Sequence, residues 1–185
     1  MVRPRAVGSG TQGGEALLNH PKWHALWTHS NCEQMVHDQL ASKGFQLFLP
    51  RVQIWRRYGE GRKLVSSPMF PGYVFIRHSL DKTSYLEILK SRGLVRILGE
   101  RWDRLWSIPD DEIDVVRKIV DAGLPALPYP YLHEGQRMRI RSGPLAGVEG
   151  IFVTGEPHKG LLVLSVELLR RSVAVEIDCT LVAAA

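Results

Sequence analysis

Three residues that could ligate a metal ion lie close together in this sequence: His29, Cys32 and His37. A zinc site of this type needs four protein ligands, and no fourth candidate stands nearby. Cys32 and His37 are five residues apart, which would place them about 140° apart around a helix rather than on one face. The other cysteine, Cys179, is too distant in sequence to complete a CxxC motif. We therefore predict no metal site.

An acidic run at residues 110–112 is the other cluster with the composition of a catalytic site. It stands at the start of a predicted helix, where carboxylates interact favourably with the helix dipole. No GxxxxGK[ST] or GxSxG motif occurs, and the glycine-rich tract at residues 8–14 follows no strand. We therefore predict neither enzymatic activity nor a cofactor.

Basic and aromatic side chains are interleaved in a predicted β-hairpin over residues 52–67, whose turn contains Gly59 and Gly61. Arg56 and Arg57 stand beside Tyr58, with a single acid in the turn. Arginines neutralise phosphates and aromatic rings stack on unpaired bases, so this hairpin is a candidate for nucleic-acid contact. The alternative is a solvated edge hairpin whose charges prevent aggregation.

Composition and charge limit the class of protein. Apolar residues form 44% and charged residues 23% of the 185-residue chain, as is typical of globular proteins. Residues 22–123 contain 16 basic and 12 acidic residues, whereas residues 132–185 contain six of each. The positive excess thus belongs to the first part. No apolar stretch approaches the ~18 residues of a membrane span, and no signal-peptide core is present, so we expect a cytoplasmic chain.

The order of predicted elements indicates an α+β domain followed by a small all-β barrel. We expect a flexible tail over residues 1–21, the α+β domain over 22–123, a proline-rich linker over 124–131 and the barrel over 132–182. In the first domain, Asn31 and Gln34 have the spacing of a capping box. Further helices are predicted over residues 83–90 and from Pro109 to a stop at Gly123.

Three segments resemble the NusG family of transcription elongation factors and occur in the same order. They are Lys22-Trp23, PMFPGYVF at residues 68–75 and MRIRSGPLAG at residues 138–147. The ending SVELLRRSVAVEID at residues 165–178 is similar to the end of that family's KOW domain. The resemblance covers about residues 22–182. It implies an N-terminal NGN-type antiparallel sheet with helices, joined to a KOW (SH3-like) barrel.

The resemblance also implies that the first domain binds the clamp helices of RNA polymerase in an apolar depression. The matching positions, which include the aromatic set of the specialised RfaH branch, are Trp27, Phe70, Pro71, Gly72, Tyr73 and Phe75. We expect Phe70 and Tyr73 to be exposed, while the alternative is that all the aromatic residues belong to the core. Gly72 is expected to need a backbone conformation that only glycine adopts easily.

Contacts with the non-template DNA strand in the transcription bubble are implied for a second group. Its members are His29, Ser91 and Arg92, since Arg92-Gly93 matches an Arg-Gly pair of RfaH-like factors. Arg56 and Arg57 are expected to contact DNA as well, on the composition of the basic hairpin. The alternative for Arg92 is an ordinary cation at a helix end.

In the barrel, the resemblance implies that Leu169, Arg170 and Arg171 contact a small-subunit ribosomal protein or the termination factor Rho. The closing sequence and the Arg-Gly pair favour an operon-specific antiterminator that acts as a monomer. One alternative is the general factor that couples polymerase to Rho or to the ribosome. A KOW-containing ribosomal or RNA-binding protein is the other, and the balanced charge of residues 132–185 disfavours it.

Overall fold

A computed structural model describes residues 20–59, 61–124, 126–129, 135–154, 159–166, 169, 171–178 and 181–185. Most of the tail predicted over residues 1–21 therefore lies outside the described residues. The helices are α1 (Glu33–Ala41), α2 (Lys82–Leu89) and α3 (Asp110–Asp121). The strands are β1 (Lys22–Thr28), β2 (Gln46–Phe48), β3 (Arg51–Tyr58), β4 (Gly61–Pro68), β5 (Tyr73–His78), β6 (Leu94–Ile97), β7 (Gly99–Arg101), β8 (Arg104–Leu105), β9 (Ala126–Tyr129), β10 (Arg137–Ile140), β11 (Glu149–Thr154), β12 (Lys159–Val166), β13 (Arg171–Asp178) and β14 (Val182–Ala184).

The first sheet is antiparallel and has the order β2-β5-β1-β6, so β1 and β5 form its centre. Successive side chains of a strand point to opposite faces, which gives this sheet two apolar surfaces. On one face, Leu26 of β1 packs with Val36 of α1 and Ile88 of α2. On the other face, Trp23 of β1 packs with residues of α3 such as Ile113. Helices therefore cover the sheet on both sides.

The helix starts differ from the predicted ones. Helix α1 begins after Cys32, which makes no side-chain cap, and Asn31 has a positive φ of 60°. The predicted capping box at Asn31 is therefore wrong. The capping box instead lies at α2, where the Ser84 N–H donates to Asp81 Oδ1 at 2.7 Å and the Asp81 N–H donates to Ser84 Oγ at 3.1 Å. The Asp81 carboxylate also accepts from the Ser84 hydroxyl, and this bond, together with the one from the Ser84 N–H, lowers the pKa of Asp81.

Two hairpins extend the first half of the chain. The predicted basic hairpin is confirmed as β3 and β4, which form a two-stranded sheet of their own. The smaller hairpin, β7 and β8, was not predicted, because strands of three and two residues are too short to show a period.

The second half of the described chain is all-β. Its strands form one antiparallel sheet with the order β14-β10-β11-β12-β13-β9. Strand β9 comes from the proline-rich stretch and pairs with β13, with Pro128 opposite Val173. Because proline cannot donate a ladder hydrogen bond, an edge position suits this segment. The sequence analysis anticipated neither β9 nor β14. Among the described helices, none is long and apolar enough to span a membrane.

His24 of β1 is a buried histidine on the α1 and α2 face of the first sheet. Its Nδ1 lies 2.9 Å from the carbonyl oxygen of Trp106. Since a carbonyl only accepts, Nδ1 carries the proton in this hydrogen bond. Burial lowers the pKa of His24 below its usual value of 6.5.

We predict that this histidine makes stability fall in acid. As the pH drops below about 6.5, the unfolded chain takes up the proton before the folded chain does, so the free energy of unfolding decreases. Urea unfolding at pH 7.5 and pH 5.5 measures the loss. His24→Asn should show a smaller loss, whereas His29→Asn, at an exposed histidine, should behave as the unmodified chain. An unchanged loss in His24→Asn would contradict the prediction.

Candidate functional site

A tight turn between β4 and β5 carries the residues predicted to meet polymerase. Gly72 adopts a φ of +86°, which confirms the expectation of a conformation that favours glycine. The Tyr73 N–H donates to the Phe70 carbonyl at 3.1 Å, which closes the turn. The Thr28 N–H donates to the Gly72 carbonyl at 2.9 Å and joins the turn to the end of β1. Pro71 is exposed at its tip.

Glu33, in the first turn of α1, fixes the same turn from the other side. Its Oε1 accepts a hydrogen bond from the Gly72 N–H at 2.7 Å, and its side chain is buried. A bond from an N–H to a carboxylate is stronger than one between neutral groups. The start of a helix also favours a negative charge. Glu33 was not among the predicted site residues, since an acid in a first helical turn is ordinarily explained by the helix dipole alone.

Trp27 and Tyr73 lie opposite each other on β1 and β5 and therefore share one face of the sheet. The Trp27 side chain is 41% exposed, and Tyr73 is half-buried. The Arg96 guanidinium lies 5.5 Å from the centre of the Trp27 ring, a distance at which a cation and an aromatic face attract each other. This pair of rings forms the accessible part of the predicted aromatic set.

Phe70 and Phe75 are both buried, Phe70 to 2% exposure. Their rings meet edge to face with centroids 5.9 Å apart, a favourable aromatic geometry. The expectation that Phe70 is exposed is therefore wrong. Its ring points into the core shared with α3 because the turn directs it under the strand rather than away from it.

The strands of the second half cover part of the same face. A cavity of 680 Å³ separates α3 from β12 and β13, and Phe70 lines it. Val116 of α3 and Val173 of β13 line it from the two sides. Trp27 does not line this cavity. The two members of the aromatic set thus differ in their surroundings, because Phe70 faces the C-terminal sheet and Trp27 faces solvent.

The backbone of Arg92 is held by the side chain of Gln39. The Gln39 side chain of α1 accepts from the Arg92 N–H and donates to the Arg92 carbonyl, each at 3.0 Å. The His29 N–H donates to the next carbonyl, that of Gly93, at 2.9 Å. His29 and Arg92 are therefore brought together, and both are exposed. No acidic partner of Arg92 is found among the described residues.

Gly93 permits this close approach. Its φ is +90°, and an added Cβ would lie 2.7 Å from Met35 Cε and 2.9 Å from Cys32 Cβ. Glycine is thus required both by the backbone angle and by the space that α1 leaves. Ser91, the third residue predicted here, is buried, and its hydroxyl has no hydrogen-bond partner within the described part of the chain. The expectation that Ser91 touches DNA directly is therefore wrong, because only 5% of its surface is exposed.

The basic hairpin concentrates positive charge in neighbouring pairs. Arg56 lies opposite Lys63 and Arg57 lies opposite Arg62, and all four are exposed. Like charges directly opposite each other repel across strands. The alternation of side chains places the two pairs on opposite faces of the ribbon. At the base of the hairpin, Arg51 donates to Gln34 of α1 at 3.0 Å. A bound polyanion would relieve this repulsion.

In the C-terminal sheet, Leu169 is buried at 6% exposure. The expectation that it offers an apolar side chain to a partner is wrong, since it packs in the core with residues such as Leu162. Arg171 is exposed as the first residue of β13. Arg170 lies outside the described residues. Throughout the described ranges, no group of three or more metal-ligating side chains is found.

These features define a two-part chain whose exposed aromatic face and cationic surfaces suit macromolecular partners. The family model described as "Transcription termination factor nusG" matches residues 21–117. The transcription termination/antitermination protein NusG of Buchnera aphidicola subsp. Baizongia pistaciae is 24% identical over 167 residues, which cover 85% of this chain and 92% of that protein. The protein of the same name from Escherichia coli strain K12 is 24% identical over 134 residues, covering 72% and 74%.

A solved structure, described as domain interaction in Thermotoga maritima NusG, has the same fold. It superposes with a TM-score of 0.57 at 18% identity and covers 89% of this chain and 97% of that one. The chain belongs to the NusG family of transcription termination/antitermination factors, and this family is not one of enzymes.

We predict that Gly93 and Gly44 differ in their tolerance of alanine. Both have positive φ, +90° and +85°, but Gly44 has nothing within 4 Å of an added Cβ. Gly44→Ala should cost about 1–2 kcal/mol of unfolding free energy through backbone strain. Gly93→Ala should cost about 1–3 kcal/mol more, through overpacking against α1. Equal losses in urea unfolding would show that α1 is not packed against Gly93.

Proposed function

We propose that this chain binds the clamp helices of RNA polymerase through Trp27 and Tyr73 and modulates pausing and termination there. The observation that carries the proposal is the exposed Trp27 ring, which lies opposite Tyr73 beside a turn fixed by Glu33. Apolar faces of helices bind in grooves where a few aromatic residues carry most of the energy. Family membership supports the same partner.

The proposed surface is pre-organised. The Gly72 turn is hydrogen-bonded to β1 and to α1, so little ordering is needed when a partner binds. Phe70 belongs to the apolar cluster against which Tyr73 packs, so it contributes through packing rather than through direct contact with the partner. The C-terminal sheet lies across the cavity beside Phe70. Comparison of the full chain with the fragment 22–123 therefore measures how far that sheet restricts access to polymerase.

We infer that Arg92 and His29, together with Arg56 and Arg57 of the hairpin, contact the non-template DNA strand. All four are exposed, and the clamp formed by Gln39 presents Arg92 in a fixed backbone position. Guanidinium groups bind phosphates without sequence preference, so this surface positions the factor on DNA. A basic residue without an acidic neighbour is the arrangement that favours such a contact.

We further infer an operon-specific antitermination role, with Arg171 offered to a ribosomal protein or to Rho. The features that support it are the Arg92-Gly93 pair and the closing sequence at residues 165–178. Mapping of chromosomal occupancy in growing cells distinguishes an operon-specific factor from a general one. A specialised factor is expected at a few operons, whereas occupancy that follows polymerase across most genes would favour a general factor.

Polymerase affinity should depend on the two accessible aromatic residues. Trp27→Ala and Tyr73→Ala should each weaken binding of the full chain to core polymerase by roughly 1–3 kcal/mol, the usual range for aromatic hot spots. Trp106→Ala is the matched control, because Trp106 is also exposed, at 45%, and lies away from the turn. Fluorescence anisotropy with labelled chain measures each affinity. Equal affinity in the two aromatic variants and the control would remove this surface from the proposal.

Removal of the charge of Arg92 separates DNA contact from polymerase contact. Arg92→Gln should reduce the slope of log affinity against log salt by about 0.7 for an elongation complex, which is the effect of one lost phosphate contact on a single strand. It should leave affinity for DNA-free core polymerase unchanged. Lys118→Gln, at an exposed lysine of α3, serves as the charge control. A salt slope for Arg92→Gln equal to that of the control would argue against DNA contact.

A further inference from the structure

A polar pocket lies at the far end of β1 from the Gly72 turn. Lys22 and His78 pair across β1 and β5 there, whereas Trp27 and Tyr73 pair at the other end. At about 3.3 Å per residue, the five-residue separation between Lys22 and Trp27 spans roughly 17 Å. The pocket has a volume of 320 Å³, and its lining contains no residue of the surfaces proposed for polymerase and DNA.

The floor of this pocket is rich in hydrogen-bond donors. The Nδ1 atom of His78 is buried without a partner among the described residues. A buried ring nitrogen without a partner is rare in folded proteins, and Nδ1 donates to a bound acceptor when it carries the ring proton. Lys22 adds a charged ammonium group, and Ser79 and Ser107 add hydroxyls.

The one carboxylate that lines the pocket, that of Asp103, is already engaged. Arg101 donates to both of its oxygens, at 3.1 and 2.8 Å. This bidentate pair neutralises the acid and leaves the lysine as the uncompensated charge of the pocket. The local charge and the donors together favour an anion.

Trp102 supplies an aromatic surface at the same pocket. It occupies the turn of the β7–β8 hairpin, lines the pocket and is 41% exposed. An exposed indole is a platform on which any nucleobase can stack. The ion pair between Arg101 and Asp103 joins the two residues that flank Trp102.

We propose that this pocket binds one nucleotide of a single-stranded nucleic acid, with the phosphate at Lys22 and His78 and the base on Trp102. A pocket of 320 Å³ falls at the lower end of the range for small-ligand sites and accommodates a single nucleotide. The strand is either DNA or RNA, since both present the same phosphate and stacking surface. The site is additional to the surfaces of the proposed function.

The test uses the full chain labelled with ¹⁵N and carrying Arg57→Gln, Arg62→Gln and Arg92→Gln. These changes weaken the proposed DNA surface, so that a failure of either proposal can be recognised separately. Inorganic phosphate, dTMP and nine-residue oligo-dT and oligo-rU are titrated, and the Trp102 indole and His78 imidazole signals are followed. We expect both signals to shift with dTMP and to saturate at lower concentration with at least one oligonucleotide.

Two tryptophan variants locate the site. Trp102→Ala should weaken oligonucleotide binding about tenfold, as expected for loss of one stacked base. Trp106→Ala removes an equally exposed ring outside the pocket lining and should change affinity less than twofold. Lys22→Gln should weaken binding of phosphate and of oligonucleotides alike. Immobile Trp102 and His78 signals, equal effects of the two tryptophan variants, or phosphate binding as tight as that of the oligonucleotides would each overturn the proposal.

Discussion

The hydrogen bond from the Gly72 N–H to the buried carboxylate of Glu33 is the contact on which the proposed polymerase surface depends. It joins α1 to a turn whose other link to a regular element is the bond from Thr28 at the end of β1. A buried charge is tolerated only when it is paired or hydrogen-bonded, so the carboxylate and the turn require each other. The same turn accepts the Thr28 N–H and thereby fixes Tyr73 opposite Trp27.

Helix α1 positions the second surface in the same way. Six residues after Glu33, the Gln39 amide binds both backbone groups of Arg92, and Gly93 packs directly against the helix. A single nine-residue helix therefore determines the places of the proposed polymerase and DNA contacts. Because both depend on one rigid element, the distance between them is set by the fold rather than by loop flexibility. This is the arrangement that a factor bound to polymerase beside a DNA strand requires.

The sequence predicted those features that depend on local pattern or on a backbone requirement. The β3–β4 hairpin and the positive φ of Gly72 are examples, since turn glycines and alternating apolar residues are visible in the chain. Burial was predicted less well. Phe70, Ser91 and Leu169 were expected at the surface, yet tertiary packing with α3, α1 and the C-terminal core encloses them. The role of Glu33 depends on a contact with a residue 39 positions away, which no periodicity reveals.

The affinity of Glu33→Ala for core RNA polymerase tests the central claim most directly. Loss of the carboxylate leaves the Gly72 N–H without its acceptor, at a cost of about 1–3 kcal/mol, and frees the turn that positions Tyr73. The account predicts a folded variant that binds polymerase about tenfold more weakly, whereas Gln34→Ala, at the exposed neighbour, binds as the unmodified chain does. A folded Glu33→Ala variant with unchanged affinity would contradict the account.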